Sequence, residues 1–524
     1  MMRNDRIKKA IAVVLCLLLC AGACGCEQKE QVVPDIPLSA SVPPGKENAM
    51  QQSFTASLYF AATDNRKLTV ETRKLTISPG ISRAEAALRA LLEGPRSQSV
   101  QSVVQWGIGF DSIEISDAVC NVFLTGEVEL DEKQWLITRA AVASTVFATA
   151  DADFVNLYYN RMEPGYHGRP LGAIGPIFET LDAYVRNIEL EYEALEEERA
   201  ASAGSTSAEI RNCTLYYLAE NERFLTAAGE LVSYDGAATI DDIASVLLTR
   251  LCTNEDPENL HKSAVPENLA LMEGPRIVIP AVVDAEGESE PDPAALPEGV
   301  QALRQPAIVE LTIQEPDEAF NQELLAASIT LTLTGYLPWI EGVRLWIAPE
   351  GGTPYLFQGK DRLTREAFSN HIGHTVTLAY PQEDGTAFCS VPWTLSSQEA
   401  YDPFMRLAAY LDAEPSPGVR GAAFTQADIR DVYASDDTMI VDWNAGFTEK
   451  LQALAEDEDS PLPRDRRAWL FVYGVIDTLT EMPGIQRVWM LEDGRKLGMA
   501  ADIYLGNALL RNPGILADAA DGTQ

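Results

Sequence analysis

The segment SRAEAALRALLEGP, residues 82–95, carries the signals of one short amphipathic helix. Ser82 and Glu85 stand three residues apart as a capping box, in which each side chain bonds the backbone N–H of the other. Apolar residues then recur at helical spacing, and Gly94 with Pro95 ends the helix because this pair cannot continue it. Short β-like runs flank the helix on both sides, so the segment predicts a domain of the α+β class.

The order of elements around this helix recurs three times along the chain. Each copy begins with a short strand and a polar turn, at SLYF (57–60), TLYY (214–217) and TLAY (377–380). A second β-like run, a helix, a strand pair, a second helix and a last strand follow. We predict three tandem units of one α+β fold, each with hairpins and two helices packed on a small mixed sheet. Their boundaries are predicted at residues 53–180, 208–350 and 370–515, with a Pro/Glu-rich insertion near 284–306 in the second unit.

Two motifs of these units resemble the GerMN domain. The first is the helix end ALRALLEGP (87–95), and the second is PGIQRV (483–488) followed by the turn Asp493-Gly494. The resemblance implies an α+β domain related to the ring-building modules of sporulation channels, in three tandem copies where GerM-like proteins usually carry two. It also implies a non-enzymatic, scaffold-like role at the cell envelope, and it brings no catalytic residues with it.

The N-terminus has the pattern of a bacterial export signal. Four basic residues among the first nine precede an apolar run at residues 10–21. That run is too short for a bilayer, which needs about 20 residues. Small residues then precede Cys24 and Cys26, and this pattern resembles a bacterial lipobox. We predict a lipoprotein signal peptide at residues 1–23 and lipidation of Cys24, with Cys26 as the alternative.

Residues 24–52 are rich in Pro, Ser, Glu and Gln. Such a segment has too little apolar surface to fold, so it is predicted to be a flexible tether. No later apolar run is long enough to span a membrane. We therefore expect the remaining chain on the extracellular face of the cell membrane, held there by the N-terminal lipid.

The charge of the chain excludes one class of partner. Its 524 residues include 40 basic and 78 acidic side chains, which gives a formal net charge of −38. Nucleic acids and anionic lipid headgroups are polyanions, so non-specific binding to them is disfavoured. We expect no nucleic-acid partner.

Cysteine and histidine positions give no sign of a metal or redox site. Four cysteines lie beyond the N-terminus without a C-x-x-C pattern, so most are expected to be buried free thiols; they are Cys120, Cys213, Cys252 and Cys389. A bridge between Cys213 and Cys252 is left open. His371 and His374 stand directly before a predicted strand, where residues three apart point to opposite faces. No nucleophile-elbow, metalloprotease, Walker A or dinucleotide motif occurs, so we predict no catalytic residue, metal or cofactor.

These features favour a non-enzymatic, lipid-anchored scaffold or interaction module of the bacterial cell envelope, in sporulation or spore germination. An envelope or sporulation protein is the expected partner, and self-association is left open. One alternative is a lipid-anchored solute-binding protein of a transporter. A second alternative is a wall hydrolase using Asp436, Asp437 and Asp442, although the first two are turn formers and Asn121 is expected to replace Asp442 in the first unit.

Overall fold

A computed structural model describes residues 52–512 of the chain, apart from short gaps. The gaps are residues 78–80, 202–206, 220, 254–261, 267–268, 270, 280–305, 317–320, 383, 398, 414–423, 458–462 and 465. Cys24, Cys26 and the signal peptide lie outside the described residues. The tether and the insertion also lie outside the described residues, except for Gln52 and Pro306. The three units predicted at 53–180, 208–350 and 370–515 are called the first, second and third repeat.

The first repeat contains two hairpins and two helices. In chain order its elements are β1 (Gln52–Ala62), β2 (Leu68–Ile77), α1 (Arg83–Leu92), β3 (Val100–Gln101), β4 (Ile108–Ser116), β5 (Val119–Gly126), α2 (Glu132–Phe147) and β6 (Phe154–Tyr159). The predicted capping box is half formed, because Ser82 Oγ accepts from Glu85 N at 3.1 Å while the Glu85 carboxylate pairs with Arg89 at 2.8 Å. A helix after the repeat, α3 (Leu181–Ala201), packs on α2.

The second repeat follows the same order without the short third strand. Its elements are β7 (Ala208–Leu218), β8 (Leu225–Asp235), α4 (Ile240–Thr253), β9 (Leu271–Val278), β10 (Ala307–Gln314), α5 (Gln322–Tyr336) and β11 (Ile340–Ala348). A connection to the third repeat contains β12 (Tyr355–Leu356) and two 3₁₀ segments, Phe357–Gly359 and Arg365–His371.

The third repeat has an extra helix and a tail of very short strands. Its elements are β13 (Gly373–Pro381), β14 (Phe388–Ser396), α6 (Pro403–Asp412), β15 (Ile429–Ser435), β16 (Thr438–Trp443), α7 (Phe447–Glu456), α8 (Arg467–Thr480), β17 (Arg487–Glu492), β18 (Arg495–Lys496), β19 (Met499–Ala500), β20 (Ile503–Tyr504) and β21 (Leu509–Leu510). Turns of 3₁₀ helix stand before α6, at Glu399–Tyr401, and before β15, at Gln426–Asp428.

The three repeats share one topology. In each, the last strand lies parallel to the strand before it and a helical crossover joins the two, as parallel neighbours require; the parallel pairs are β5/β6, β10/β11 and β16/β17. The preceding strand pairs antiparallel, which makes three small mixed sheets; these pairs are β4/β5, β9/β10 and β15/β16. The predicted α+β class with repeated mixed sheets is therefore confirmed.

One hydrogen bond recurs at the same place in each repeat. A threonine hydroxyl of the crossover helix accepts the backbone N–H of the third residue in the opening strand motif. The pairs are Thr145 with Tyr59 at 3.2 Å, Thr332 with Tyr216 at 3.3 Å, and Thr478 with Ala379 at 2.9 Å. This contact gives a strand N–H an acceptor on the helix, and it fixes the hairpin on the helix.

Each repeat has its own apolar core, but the cores are not isolated from one another. Val119 of the first repeat belongs to the core of the second, and the described residues all lie in one compact unit. Side chains on every face of α2 and α5 are buried, as expected for helices enclosed between a sheet and a hairpin. Within the described part of the chain, no helix is long and apolar enough to cross a membrane. The predicted repeat boundaries stay predictions.

Candidate functional site: the contacts between repeats

A row of buried polar side chains crosses the mixed sheet of the first repeat. Glu114 on β4 stands opposite Asn121 on β5, which stands opposite Asn156 on β6. Asn121 Nδ2 donates to Glu114 Oε2 at 2.9 Å, and Asn156 Nδ2 donates to Asn121 Oδ1 at 2.9 Å. The row also bonds the hairpin of the second repeat, through the Tyr216 hydroxyl at 2.9 Å and Thr214 Oγ1 at 2.7 Å. The first two repeats are therefore joined by a polar network.

Arg365, in the connection to the third repeat, completes this network. It is 2% exposed, and its Nη2 lies 2.9 Å from Glu114 Oε2 while Nη1 donates to Leu331 O at 3.1 Å. Nη2 also bonds the Tyr216 hydroxyl, and only Nε has no acceptor. The guanidinium lies 5.6 Å or less from the ring centroids of Phe123, Tyr158 and Tyr216. Burial alone lowers the pKa of Arg365, but Tyr216 and Glu114 raise it above its usual value.

Two further buried ion pairs lie in and around the segment that leaves β6. Arg139 Nη1 lies 3.4 Å from Glu163 Oε1, and Arg169 Nη2 lies 2.7 Å from Glu209 Oε2 on β7. Arg211 approaches the same Glu209 carboxylate at 2.8 Å. Burial raises the pKa of Glu163 to about 7, against the opposing effect of Arg139. Because isolated buried charges are costly, the first pair holds the segment to α2 and the second holds it to the second repeat only as long as both partners of each pair are present.

The turn between β4 and β5 contacts both other repeats. Ser116 Oγ donates to Gly373 O at 2.5 Å and accepts from Ala227 N at 3.0 Å. The Asp117 carboxylate accepts from Thr375 N at 2.7 Å and from the Thr226 hydroxyl. Asp117 has a left-handed backbone, with φ of 47°, which Asp tolerates better than most residues. One two-residue turn thus links all three repeats.

The four described cysteines are free thiols. Cys120 and Cys213 are buried and Cys252 and Cys389 are partly buried, so Cys213 and Cys252 are not bonded to each other. Burial raises the pKa of each thiol, that of Cys252 to about 11. A raised pKa leaves little thiolate at neutral pH, so these cysteines are poor nucleophiles.

The two neighbouring histidines do not share a site. His371 Nε2 lies 3.4 Å from Glu323 Oε1, while His374 Nδ1 accepts from Asp117 N at 3.1 Å. Across the described residues, no group of three or more His, Cys, Asp or Glu side chains is arranged to hold a metal ion.

The three aspartates of the hydrolase alternative have separate environments. Asp436 is exposed in the turn, Asp437 lies 2.9 Å from Arg487, and Asp442 lies 3.1 Å from Arg430. Asp442 also accepts from Gly494 N at 2.8 Å. The expected match of Asn121 to Asp442 was wrong by two residues. Ser116 pairs with Val119 across the first turn, and Ser435 pairs with Thr438 across the second. When these two turns are aligned, Phe123 corresponds to Asp442, and Asn121 corresponds to Ile440.

Several large apolar side chains are exposed, and sequence reasoning did not single them out. Trp106 is 92% exposed before β4, Phe178 is 93% exposed before α3, and Leu231 on β8 is 68% exposed. By contrast, Trp443 and Trp489 are buried, at 0% and 4%, while Trp339 and Trp346 are partly exposed. Aromatic residues are enriched in protein interfaces, so Trp106 and Phe178 are the exposed side chains to test for contact with a partner.

Comparisons with known proteins return solved structures only. No family model matches the chain, and no curated protein matches it. The tandem GerMN domains of the sporulation protein GerM from Bacillus subtilis are 17% identical, with a TM-score of 0.22 over 60% of this chain and 97% of that one. A protein described as a lipoprotein from Clostridium perfringens is 18% identical, with a TM-score of 0.16 over 27% of this chain and 95% of that one.

The repeats themselves have the order of elements that the resemblance to the GerMN domain predicted. Each has the opening hairpin, the following helix and the late crossover helix. The class of fold defined here is therefore tandem α+β repeats of one topology, three in number where the sequence predicts three.

Proposed function

We propose that the protein is a lipid-anchored, non-enzymatic scaffold of the bacterial cell envelope that acts in sporulation or spore germination. One observation carries the proposal: three GerMN-like repeats are joined by buried hydrogen bonds and ion pairs, so that each has a fixed place beside the others. Inter-domain contacts within a chain usually permit relative motion. A joined array of similar units suits a protein that spaces or orients partners.

The partner surface is proposed to include Trp106 and Phe178, the two most exposed large apolar side chains of the first repeat. Aromatic residues supply much of the binding energy in protein interfaces. The net charge of −38 supports a partner that is neutral or basic where it touches this protein.

The solute-binding alternative has less support from the topology. Lobes built from alternating βα units carry helices on both faces of a parallel sheet. Here antiparallel hairpins open each repeat, and among the described strands one pair per repeat is parallel. The scaffold proposal accounts for the repetition, whereas a solute carrier does not need it.

The anchor is tested by separate Cys24→Ala and Cys26→Ala variants in the source bacterium. Loss of Cys24 should move the protein from the membrane fraction to the medium and abolish labelling by a radioactive fatty acid. Loss of Cys26 alone should leave both unchanged. Release by Cys26→Ala only would assign the lipid to Cys26, and retention of membrane binding and label in the double variant would overturn the anchor.

The role is tested by deleting the gene and counting heat-resistant spores and germination after a nutrient signal. A deletion strain should be defective in one of the two, and the wild-type gene should restore it. A Trp106→Ser/Phe178→Ser variant should restore it less well at equal abundance, while Val70→Ser, which changes another exposed apolar residue of the same repeat, serves as the matched control. Normal sporulation and germination without the gene would contradict the proposal.

A further inference from the structure

A cavity of about 740 Å³ lies between the first and third repeats. The first repeat contributes the start of α1, the β4–β5 turn and the residues that follow α2. The third repeat contributes β13, the 3₁₀ turn before α6, α6 itself and the residues after α8. Sites that bind small organic ligands commonly have volumes of about 300–1,000 Å³. The cavity is therefore large enough for an organic molecule and not only for a solvent ion.

Arg406 on α6 lines this cavity and lacks a partner. It is 6% exposed, and its Nε and Nη1 are buried without a hydrogen-bond acceptor. Arg406 forms no ion pair with a described residue. Burial lowers the pKa of Arg406, although Glu481 and Tyr401 act in the opposite direction. An unpaired buried charge is costly and is uncommon unless water, an ion or a ligand supplies the missing partner.

Further donors lie around the same cavity. Arg83, the first residue of α1, stacks on Phe54 at 5.5 Å, has a buried Nε without an acceptor, and makes no ion pair with a described residue. Ser82 accepts from Glu85 N at the start of α1. The other backbone N–H groups of the first turn have no acceptor within the helix. Helix N-termini attract anions because these N–H groups and the helix dipole point at the ligand.

His374 adds a donor of known tautomer. Its Nδ1 accepts from Asp117 N, so the neutral ring carries its hydrogen on Nε2. The ring stacks on Tyr401 with centroids 5.5 Å apart, and both residues line the cavity. Burial lowers the pKa of His374, which favours this neutral form.

The acidic residues of the lining do not replace a ligand at Arg406. Asp151, Asp153 and Glu481 are exposed, and Glu481 is paired with Arg511. Asp117, the fourth acidic residue of the lining, accepts hydrogen bonds from Thr375 N and the Thr226 hydroxyl. These carboxylates also disfavour polyanions, so the ligand should be small and carry one anionic group. Apolar lining residues, among them Phe54, Phe147 and Pro483, can contact an uncharged body.

We propose that this cavity binds a small organic anion, whose carboxylate or phosphate group pairs with Arg406 and is approached by Arg83, the N-terminus of α1 and His374. Guanidinium groups bind these oxyanions with two parallel hydrogen bonds, which a simple counter-ion such as chloride cannot accept. The ligand joins the first repeat to the third, so its binding should also stabilise the contact between them.

The proposal is tested by calorimetric titration of the purified protein with acetate, benzoate and inorganic phosphate at constant ionic strength. Benzamide is the neutral control for benzoate, and sodium chloride is the control for charge. Benzoate should bind more tightly than acetate if the apolar walls contact the ligand body, and preference for phosphate over both acids would assign the site to phosphorylated ligands. Binding of none of the three anions, or equal binding of benzamide and benzoate without phosphate binding, would overturn the proposal.

Substitutions locate the site. Arg406→Met should weaken anion binding at least tenfold, which corresponds to about 1.4 kcal/mol, and Arg406→Lys should restore part of it. Arg83→Gln, at a half-buried position where misfolding is less of a concern, should weaken it severalfold. Arg89→Gln is the matched control, because Arg89 lies on the same helix but pairs with Glu85 and is not part of the lining. Unchanged affinity in both Arg406→Met and Arg83→Gln would place any observed binding elsewhere and overturn the assignment.

Discussion

Arg365 and Arg406 are both buried at contacts between repeats, yet their surroundings differ. Arg365 has a carboxylate, a carbonyl and a hydroxyl as partners, and three aromatic rings enclose it. Arg406 has no acceptor among the described residues and lines a cavity. The first arrangement is complete within the chain, whereas the second leaves a guanidinium without a hydrogen-bonded counter-charge among the described residues. Burial of an arginine therefore does not by itself indicate a structural role, which depends on the partners of its guanidinium.

Replacing Arg365 by Met should produce the largest loss of stability. Glu114 and the Asn121–Asn156 row would keep a buried charge without its partner, which typically costs about 3–5 kcal/mol. The free energy of unfolding is measured by denaturant titration. Arg362→Met, three residues earlier in the same connection, removes an exposed pair with Glu341 and should cost less than about 1 kcal/mol. Equal losses in the two variants would contradict the structural role of Arg365.

Glu163 should make stability depend on pH. Its pKa is about 7 in the folded protein and 4.5 in the reference state, so between these values the folded state binds more protons than the unfolded one. The free energy of unfolding should therefore rise by up to about 3 kcal/mol as pH falls from 7 to 4.5. This contribution of Glu163 is fully present below pH 4.5 and is lost as pH rises through 7.

Glu163→Gln should flatten this part of the pH profile of the free energy of unfolding. Glu341→Gln, which removes a carboxylate from a more exposed ion pair, is the control and should keep the slope. A profile of the Glu163→Gln variant that runs parallel to the wild-type profile would show that another group produces the dependence.

Asp117→Ala should have a smaller effect, centred on the junction of the three repeats. Asp436 occupies the equivalent turn position in the third repeat, with φ of 53° against 47° for Asp117, but it is exposed. Both alanine variants lose the tolerance of Asp for this backbone. The difference between their free energies of unfolding therefore reports the bonds of Asp117 to Thr375 and Thr226. We expect Asp117→Ala to be less stable than Asp436→Ala by about 2 kcal/mol in denaturant titration. No difference would mean that the turn does not hold the third repeat.

The sequence predicted the repeats well because their signals are local. The helix stop at Gly94-Pro95, the opening strand motifs and the late turn at Pro483-Gly484 depend on neighbours a few residues away, and the elements lie where these signals indicate. Even here one detail failed, because Glu85 pairs with Arg89 and does not complete the capping box.

Contacts between repeats could not be predicted in the same way. Glu114 and Arg365 are 251 residues apart, and no periodic pattern connects them. Glu114 alternates with apolar residues and therefore resembles a residue on the solvent face of a strand. Asn121, inside the apolar run VCNVFL (119–124), and Asn156, inside FVNLYY (154–159), carried a signal of a buried polar group. The unpaired state of Arg406 depends on what is absent around it in space, which a single sequence cannot show.

The comparison between the two arginines is tested most directly by the unfolding free energy of Arg406→Met in the absence of added anion. If Arg406 is held unpaired for a ligand, its replacement removes a buried charge without a partner, and the variant should be more stable than the wild type by about 1–2 kcal/mol. Arg365→Met should change in the opposite direction under the same conditions. A loss of stability in Arg406→Met as large as that in Arg365→Met would contradict the account, because both arginines would then be structural.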